Sequence, residues 1–85
     1  MPLQVEYHKS AEKYLEKLDQ PLQNRIKKKI EEIAAEPDNP RLSLPLAATT
    51  KRGSRVGKYR ILLLVKEPLL YVVEVDSRGQ IYRTL

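Results

Sequence analysis

Arg55-Val56-Gly57-Lys58-Tyr59-Arg60-Ile61-Leu62-Leu63-Leu64-Val65 reads as a β-hairpin. Gly57-Lys58 separates two runs of strand-forming residues, and a glycine at the first central position suits a two-residue turn of type II′. That turn sets the register. Val56 then faces Tyr59 and Arg55 faces Arg60, so both guanidinium groups project from one side of the sheet, with Lys51 on the same side by parity. Like charges directly opposite one another repel unless an anion or an acidic partner comes between them. The five residues from Ile61 to Val65 are all apolar, the pattern of a central strand covered on both sides for part of its length.

Beyond the hairpin, Lys66-Glu67-Pro68 turns the chain into a neighbouring strand, Leu69 to Val75. Asp76-Ser77-Arg78-Gly79 forms a further turn, and Gln80 to Arg83 a last short strand. Before it, Leu3, Val5 and Tyr7 alternate with polar residues, as in a strand with one buried face. Ser10 is placed to cap a helix carrying Ala11, Tyr14, Leu15 and Leu18 on one side. Asp19 and Pro21 end that helix and start a second, in which Leu22, Ile26, Ile30 and Ile33 repeat at helical spacing until Pro37 and Pro40 stop it. Residues 36 to 50 show no period and read as a connection held down by Leu42, Leu44 and Leu46. The expected architecture is one α+β domain over residues 1–85: an N-terminal strand, a two-helix hairpin, then a mainly antiparallel sheet of three or four strands.

The charge is unevenly distributed. Of the 16 Lys/Arg and 11 Asp/Glu residues, eight basic and eight acidic ones lie in residues 1–50, whereas residues 51–85 hold eight basic and only three acidic ones, Glu67, Glu74 and Asp76. The net +5 therefore comes entirely from the second part, which points to a polyanionic partner. Lys27-Lys28-Lys29 has Glu31 and Glu32 within one helical turn and reads as a solvated face. The absence of cysteine excludes disulfides and thiolate metal sites. The amino terminus carries no basic leader or apolar core, and the longest apolar run is too short to span a bilayer. A protein of the cytoplasm, with no membrane association, is expected.

The residues available for chemistry are few. His8 is the single histidine, at the end of the first strand, and no carboxylate lies between Asp38 and Glu67, so histidine-based or two-carboxylate metal nuclease chemistry has little support. What remains is Lys51, Arg52, Arg55, Lys58, Arg60, Arg78 and Arg83 with Tyr59 and Tyr82. Arginines hold phosphate oxygens bidentately and stabilise charge growing on a pentacoordinate phosphorus, and RNA carries its own nucleophile in the 2′-hydroxyl. Composition alone is compatible with plain binding to RNA, DNA or an acidic protein, and favours binding over catalysis. Tyr59 falls on the apolar face of the hairpin, whereas Tyr82 is placed either to pack under the sheet edge or to stack on a base.

The order of three segments resembles the RelE family of toxins from type II toxin–antitoxin pairs. They are Val5-Glu6-Tyr7 leading into Ser10-Ala11-Glu12-Lys13-Tyr14-Leu15-Glu16-Lys17-Leu18-Asp19, then Arg55-Val56-Gly57-Lys58-Tyr59-Arg60-Ile61, then Arg78-Gly79-Gln80-Ile81-Tyr82-Arg83. The resemblance implies a ribosome-dependent endoribonuclease that cuts messenger RNA in the A site by 2′-hydroxyl attack, without metal or cofactor. It gives Arg60 the scissile phosphate, Arg55 a place beside it, Arg78 the protonation of the leaving oxygen and Tyr82 the orientation or activation of the nucleophile. Lys51, Arg52, Lys58 and Arg83 are expected to bind RNA. A cognate RelB-like antitoxin, and higher oligomers of the toxin–antitoxin complex, are implied as well.

Two positions depart from the family pattern: Gly53 stands where many ribosome-dependent members have another lysine, and Asp76-Ser77 replaces a frequent Gly-His pair. The scaffold is shared with ParE-type toxins, which inhibit DNA gyrase without cutting RNA, so fold alone does not choose between the two. An inactive antitoxin- or nucleic-acid-binding member is a third reading.

Overall fold

The computed structural model describes residues 2–46 and 50–77. In chain order they form β1 (Gln4–Tyr7), α1 (Lys9–Glu16), α2 (Gln20–Ala35), β2 (Leu44–Pro45), β3 (Lys51–Val56), β4 (Tyr59–Lys66) and β5 (Leu69–Asp76). The strands make one sheet in the order β1-β5-β4-β3-β2, in which β1 runs parallel to β5 and the other pairs are antiparallel. The α+β architecture is the expected one, with four strands after the helical hairpin and β1 joining their sheet as a fifth. The unexpected strand is β2, two residues taken from the connection expected to be irregular: Leu44 pairs with Gly53 and Pro45 with Arg52. Its single pair of residues carries no period that a sequence reading can detect. The expected final strand, Gln80 to Arg83, lies outside the described residues.

Both helices pack their apolar stripes on one face of the sheet. Ala11 and Leu15 of α1 and Ile26, Ile30, Ile33 and Ala34 of α2 share a core with Val56, Ile61, Leu63, Leu70, Val72 and Val75. β4 is the middle strand, and Ile61, Leu62 and Leu63 are all buried. A shift of register between Leu62 and Leu63 makes room for one extra residue on β5, so that Val72 and Val75 both reach the core despite their odd spacing.

α1 starts two residues earlier than a Ser10 cap would place it. His8 is the N-cap residue, with extended backbone, and no side chain caps the helix. Ser10 instead donates from Oγ to the Val73 carbonyl at 3.3 Å, fastening α1 to β5. Asp19 stands at the N-cap of α2 with Pro21 in the first turn, where its missing amide hydrogen costs nothing.

The connection from Glu36 to Leu46 is held down differently from the expectation. Leu42 packs against the core, but Leu44 is 56% exposed. The anchoring is polar: Arg52 donates from Nε to Ser43 Oγ at 2.8 Å and from an Nη to the Ser43 carbonyl at 2.9 Å, and the Ser54 hydroxyl donates to the Leu42 carbonyl at 2.6 Å. Ser43 and Ser54 are both buried, so these bonds satisfy groups that water does not reach.

Candidate nucleic-acid interface

The hairpin register is the one read from its turn. Val56 pairs with Tyr59, Arg55 with Arg60, and Gly57 has φ +59°, the left-handed region a glycine enters without strain. Val56, Tyr59, Ile61 and Leu63 point into the helical layer, and Tyr59 meets Tyr14 edge-on with ring centroids 6.4 Å apart. Alternation along the strands therefore turns Arg55 and Arg60 to the opposite, open face. Asp76 on β5 is the partner of Arg60 on its other side. The row Arg55, Arg60, Asp76 thus crosses three strands on one face, with two cations and one carboxylate.

The expected cations do not all share one pocket. Arg55 and Arg60 line an open groove of about 290 Å³ that runs along the Pro40–Leu46 connection and also receives Lys29 from α2 and Arg41. Lys51 shares their face, yet it sits at the far end of β3, four residues from Arg55. It lines a second cleft, of about 360 Å³, with His8, Lys66, Tyr71, Leu64 and Val73. Arg52 belongs to neither cleft, because parity sends it to the other face and its guanidinium is engaged with Ser43; it positions the connection. Lys58 occupies the hairpin tip, with Nζ 5.6 Å from the Tyr59 ring centroid. Arg78, Tyr82 and Arg83 lie outside the described residues.

Lys29, Arg41, Lys66, Tyr71 and His8 were not singled out as site residues by the sequence. Lys29 sits inside a lysine triplet whose neighbours Lys27 and Lys28 are exposed, and only its flanking place beside the buried Ile30 turns it toward the connection. No periodicity signals Arg41, which reaches the groove because β2 pairs with β3. Among the described residues no group of three or more His, Asp or Glu side chains able to hold a metal occurs. Nor is any described helix long and apolar enough to cross a membrane. Chemically, the groove offers fixed positive charge and hydrogen-bond donors to a phosphate-bearing strand.

Comparison with known proteins agrees with the architecture. The profile of a family described as the ParE toxin of the type II toxin–antitoxin system, parDE, matches residues 5–82. No curated protein matches the chain. Among solved structures, the RelBE2 toxin–antitoxin complex from Mycobacterium tuberculosis aligns at 23% identity over 92% of this chain and 100% of that one, with a TM-score of 0.77. The archaeal RelE–RelB complex from Pyrococcus horikoshii gives 22% identity, 94% and 99% coverage and a TM-score of 0.79. The intact E. coli RelBE complex gives 18% identity, 91% and 98% coverage and a TM-score of 0.78. At such identities the structural likeness establishes the fold, while the profile match spans nearly the whole chain. The chain belongs to the ParE toxin family of type II toxin–antitoxin systems, within the RelE/ParE superfamily.

Proposed function

We propose that this toxin is a metal-independent, ribosome-dependent endoribonuclease acting on messenger RNA in the A site. The observation that carries the reading is the direct opposition of Arg55 and Arg60 on the open face of the sheet. A like-charged cross-strand pair costs stability, and a phosphodiester seated between the two guanidinium groups converts that cost into binding. In the reaction the 2′ oxygen bonds to phosphorus as the bond to the 5′ oxygen breaks. The 2′-hydroxyl loses its proton, the 5′ oxygen gains one, and a cyclic phosphate remains. Arg60, with Arg55 beside it, neutralises the non-bridging oxygens as charge builds on them. Arg78 and Tyr82, assigned by family resemblance, supply the proton to the leaving oxygen and orient the nucleophile. Lys51 and Lys58 add backbone contacts.

On this reading the protein works in the cytoplasm, and its neutralising partner is a RelB-like antitoxin, as in the RelBE complexes it resembles. A second reading, inhibition of DNA gyrase without RNA cleavage, is favoured by the ParE description of the matching family. One experiment separates them: purified toxin is added to a translating extract with a defined messenger, and to gyrase with relaxed plasmid. Cleavage at codons in the A site, lost in Arg60→Ala and Arg78→Ala variants that still fold, supports the ribonuclease. Inhibited supercoiling with intact messenger overturns it.

A further inference from the structure

We infer that Lys29 and Arg41 form a second phosphate subsite, lining one groove with Arg55 and Arg60, so that a single-stranded RNA lies along the stretch from Pro40 to Leu46. The inference deepens the ribonuclease reading by naming where the strand runs, and it rests on that reading only for the identity of the RNA.

Among the described residues, four cations line the one groove, and they come from separate parts of the fold: Lys29 from α2, Arg41 from the connection, Arg55 from β3 and Arg60 from β4. No carboxylate lines it among the described residues. Among the described residues, the side chains of Lys29, Arg41 and Arg55 are held by no intramolecular hydrogen bond or ion pair. The contrast with Arg52 is informative, since both of its contacts are spent on Ser43.

The groove therefore presents several cations to one ligand, which suits a polymer carrying one negative charge per unit. Leu44 and Leu46 line the same groove and offer apolar surface, and Leu44 is 56% exposed. Such surface suits ribose and base faces better than it suits bulk water. An acidic peptide is the competing occupant, but its charge is carried only where acidic residues happen to fall. The firm anchoring of the connection also matters, because Arg52–Ser43 and Ser54–Leu42 hold Arg41 and the two leucines in place before any ligand arrives.

The test uses a labelled single-stranded RNA with 2′-O-methyl groups throughout, which blocks the nucleophile, so that binding is read by anisotropy without cleavage or ribosomes. The double variant Lys29→Gln/Arg41→Gln is expected to bind at least about tenfold more weakly at low salt. The slope of log affinity against log salt is expected to fall by roughly 1.4, about 0.7 for each cation withdrawn from a single strand. Lys27→Gln/Lys28→Gln, on the exposed side of the same helix, is expected to stay within about twofold of the unaltered protein. The single variants Lys29→Ala and Arg41→Ala, with melting curves, guard against a folding defect.

Affinity and slope unchanged in the Lys29/Arg41 variants, while Arg55→Ala/Arg60→Ala still weakens binding, overturns the subsite. Displacement of the RNA by polyglutamate at equal charge concentration, as effectively as by unlabelled RNA, also overturns it in favour of an acidic peptide. Failure of the nuclease reading appears separately, as an absence of cleavage on ribosomes by the unaltered toxin, and leaves the anisotropy result standing.

Discussion

Arg60 and Asp76 are direct cross-strand partners on β4 and β5, while Arg55 faces Arg60 from β3. Opposite charges in this arrangement contribute about 0.2–1 kcal/mol, and like charges cost a similar amount. Asp76 therefore offsets part of the repulsion built into the hairpin. Asp76→Asn is expected to lower the melting temperature by roughly 1–8 °C in low-salt buffer free of phosphate and sulfate. An unaltered melt would show that Asp76 does not stabilise the pair.

Arg55→Ala carries the opposite sign for stability. Removing the charge that opposes Arg60 is expected to leave the melting temperature equal or higher in the same anion-free buffer, although affinity for single-stranded RNA falls. Paired melts with and without an oligonucleotide check both halves. A variant that loses stability and keeps its RNA affinity contradicts the role given to this residue.

Arg52 is a structural arginine. Hydrogen bonds from a charged donor contribute about 1.5–3 kcal/mol, and Arg52→Ala leaves the buried Ser43 without its partners. The expected result is a fall of that size in unfolding free energy from urea titration. Arg52→Lys recovers little, because an ammonium cannot reproduce the fork. Below the melting temperature, Arg52→Ala is expected to lose less RNA affinity than Arg55→Ala.

Gly57 tests the turn. A Cβ added there meets nothing within 4 Å, so the cost of Gly57→Ala is confined to the backbone, which holds φ at +59°. A loss of roughly 1–2 kcal/mol is expected, with a smaller one for Gly57→Asn. Chemical denaturation of the three proteins gives the comparison.

Tyr7 makes the fold sensitive to alkali. Burial raises its hydroxyl pKa above the usual 10.0, and Glu31 adds to the shift. A group whose pKa is raised in the folded state prefers its protonated form there. Its contribution is complete below pH 10 and is lost as pH climbs from 10 through the raised value. Urea midpoints measured from pH 8 to 11 should fall more steeply for the unaltered protein than for Tyr7→Phe, and superimposable slopes would contradict the assignment.

Much of the fold was legible because its signals are local. The turn at Gly57-Lys58 set the Arg55–Arg60 pairing across a separation of five residues. The stripe of Ile26, Ile30 and Ile33 announced its own buried face. Where the reading went astray, longer-range contacts had intervened. Ser10 looked like a helix cap until the Val73 carbonyl, far along the chain, offered its hydroxyl another partner. Leu44 was expected to be buried, but pairing with Gly53 turned it outward.

The candidate site divides along the same line. Composition and hairpin periodicity were enough to establish a basic second half and two arginines face to face, since each depends only on neighbours in the chain. Which cations share a groove required the folded molecule. Lys29, Arg41 and the hairpin arginines come from elements that meet only when α2 packs beneath the sheet and β2 closes on β3. The same packing spent Arg52 on Ser43. Side chains of equal charge are indistinguishable in a sequence, and it is tertiary contact, through burial and hydrogen bonding, that leaves some of them available to a phosphate and commits others to holding the protein together.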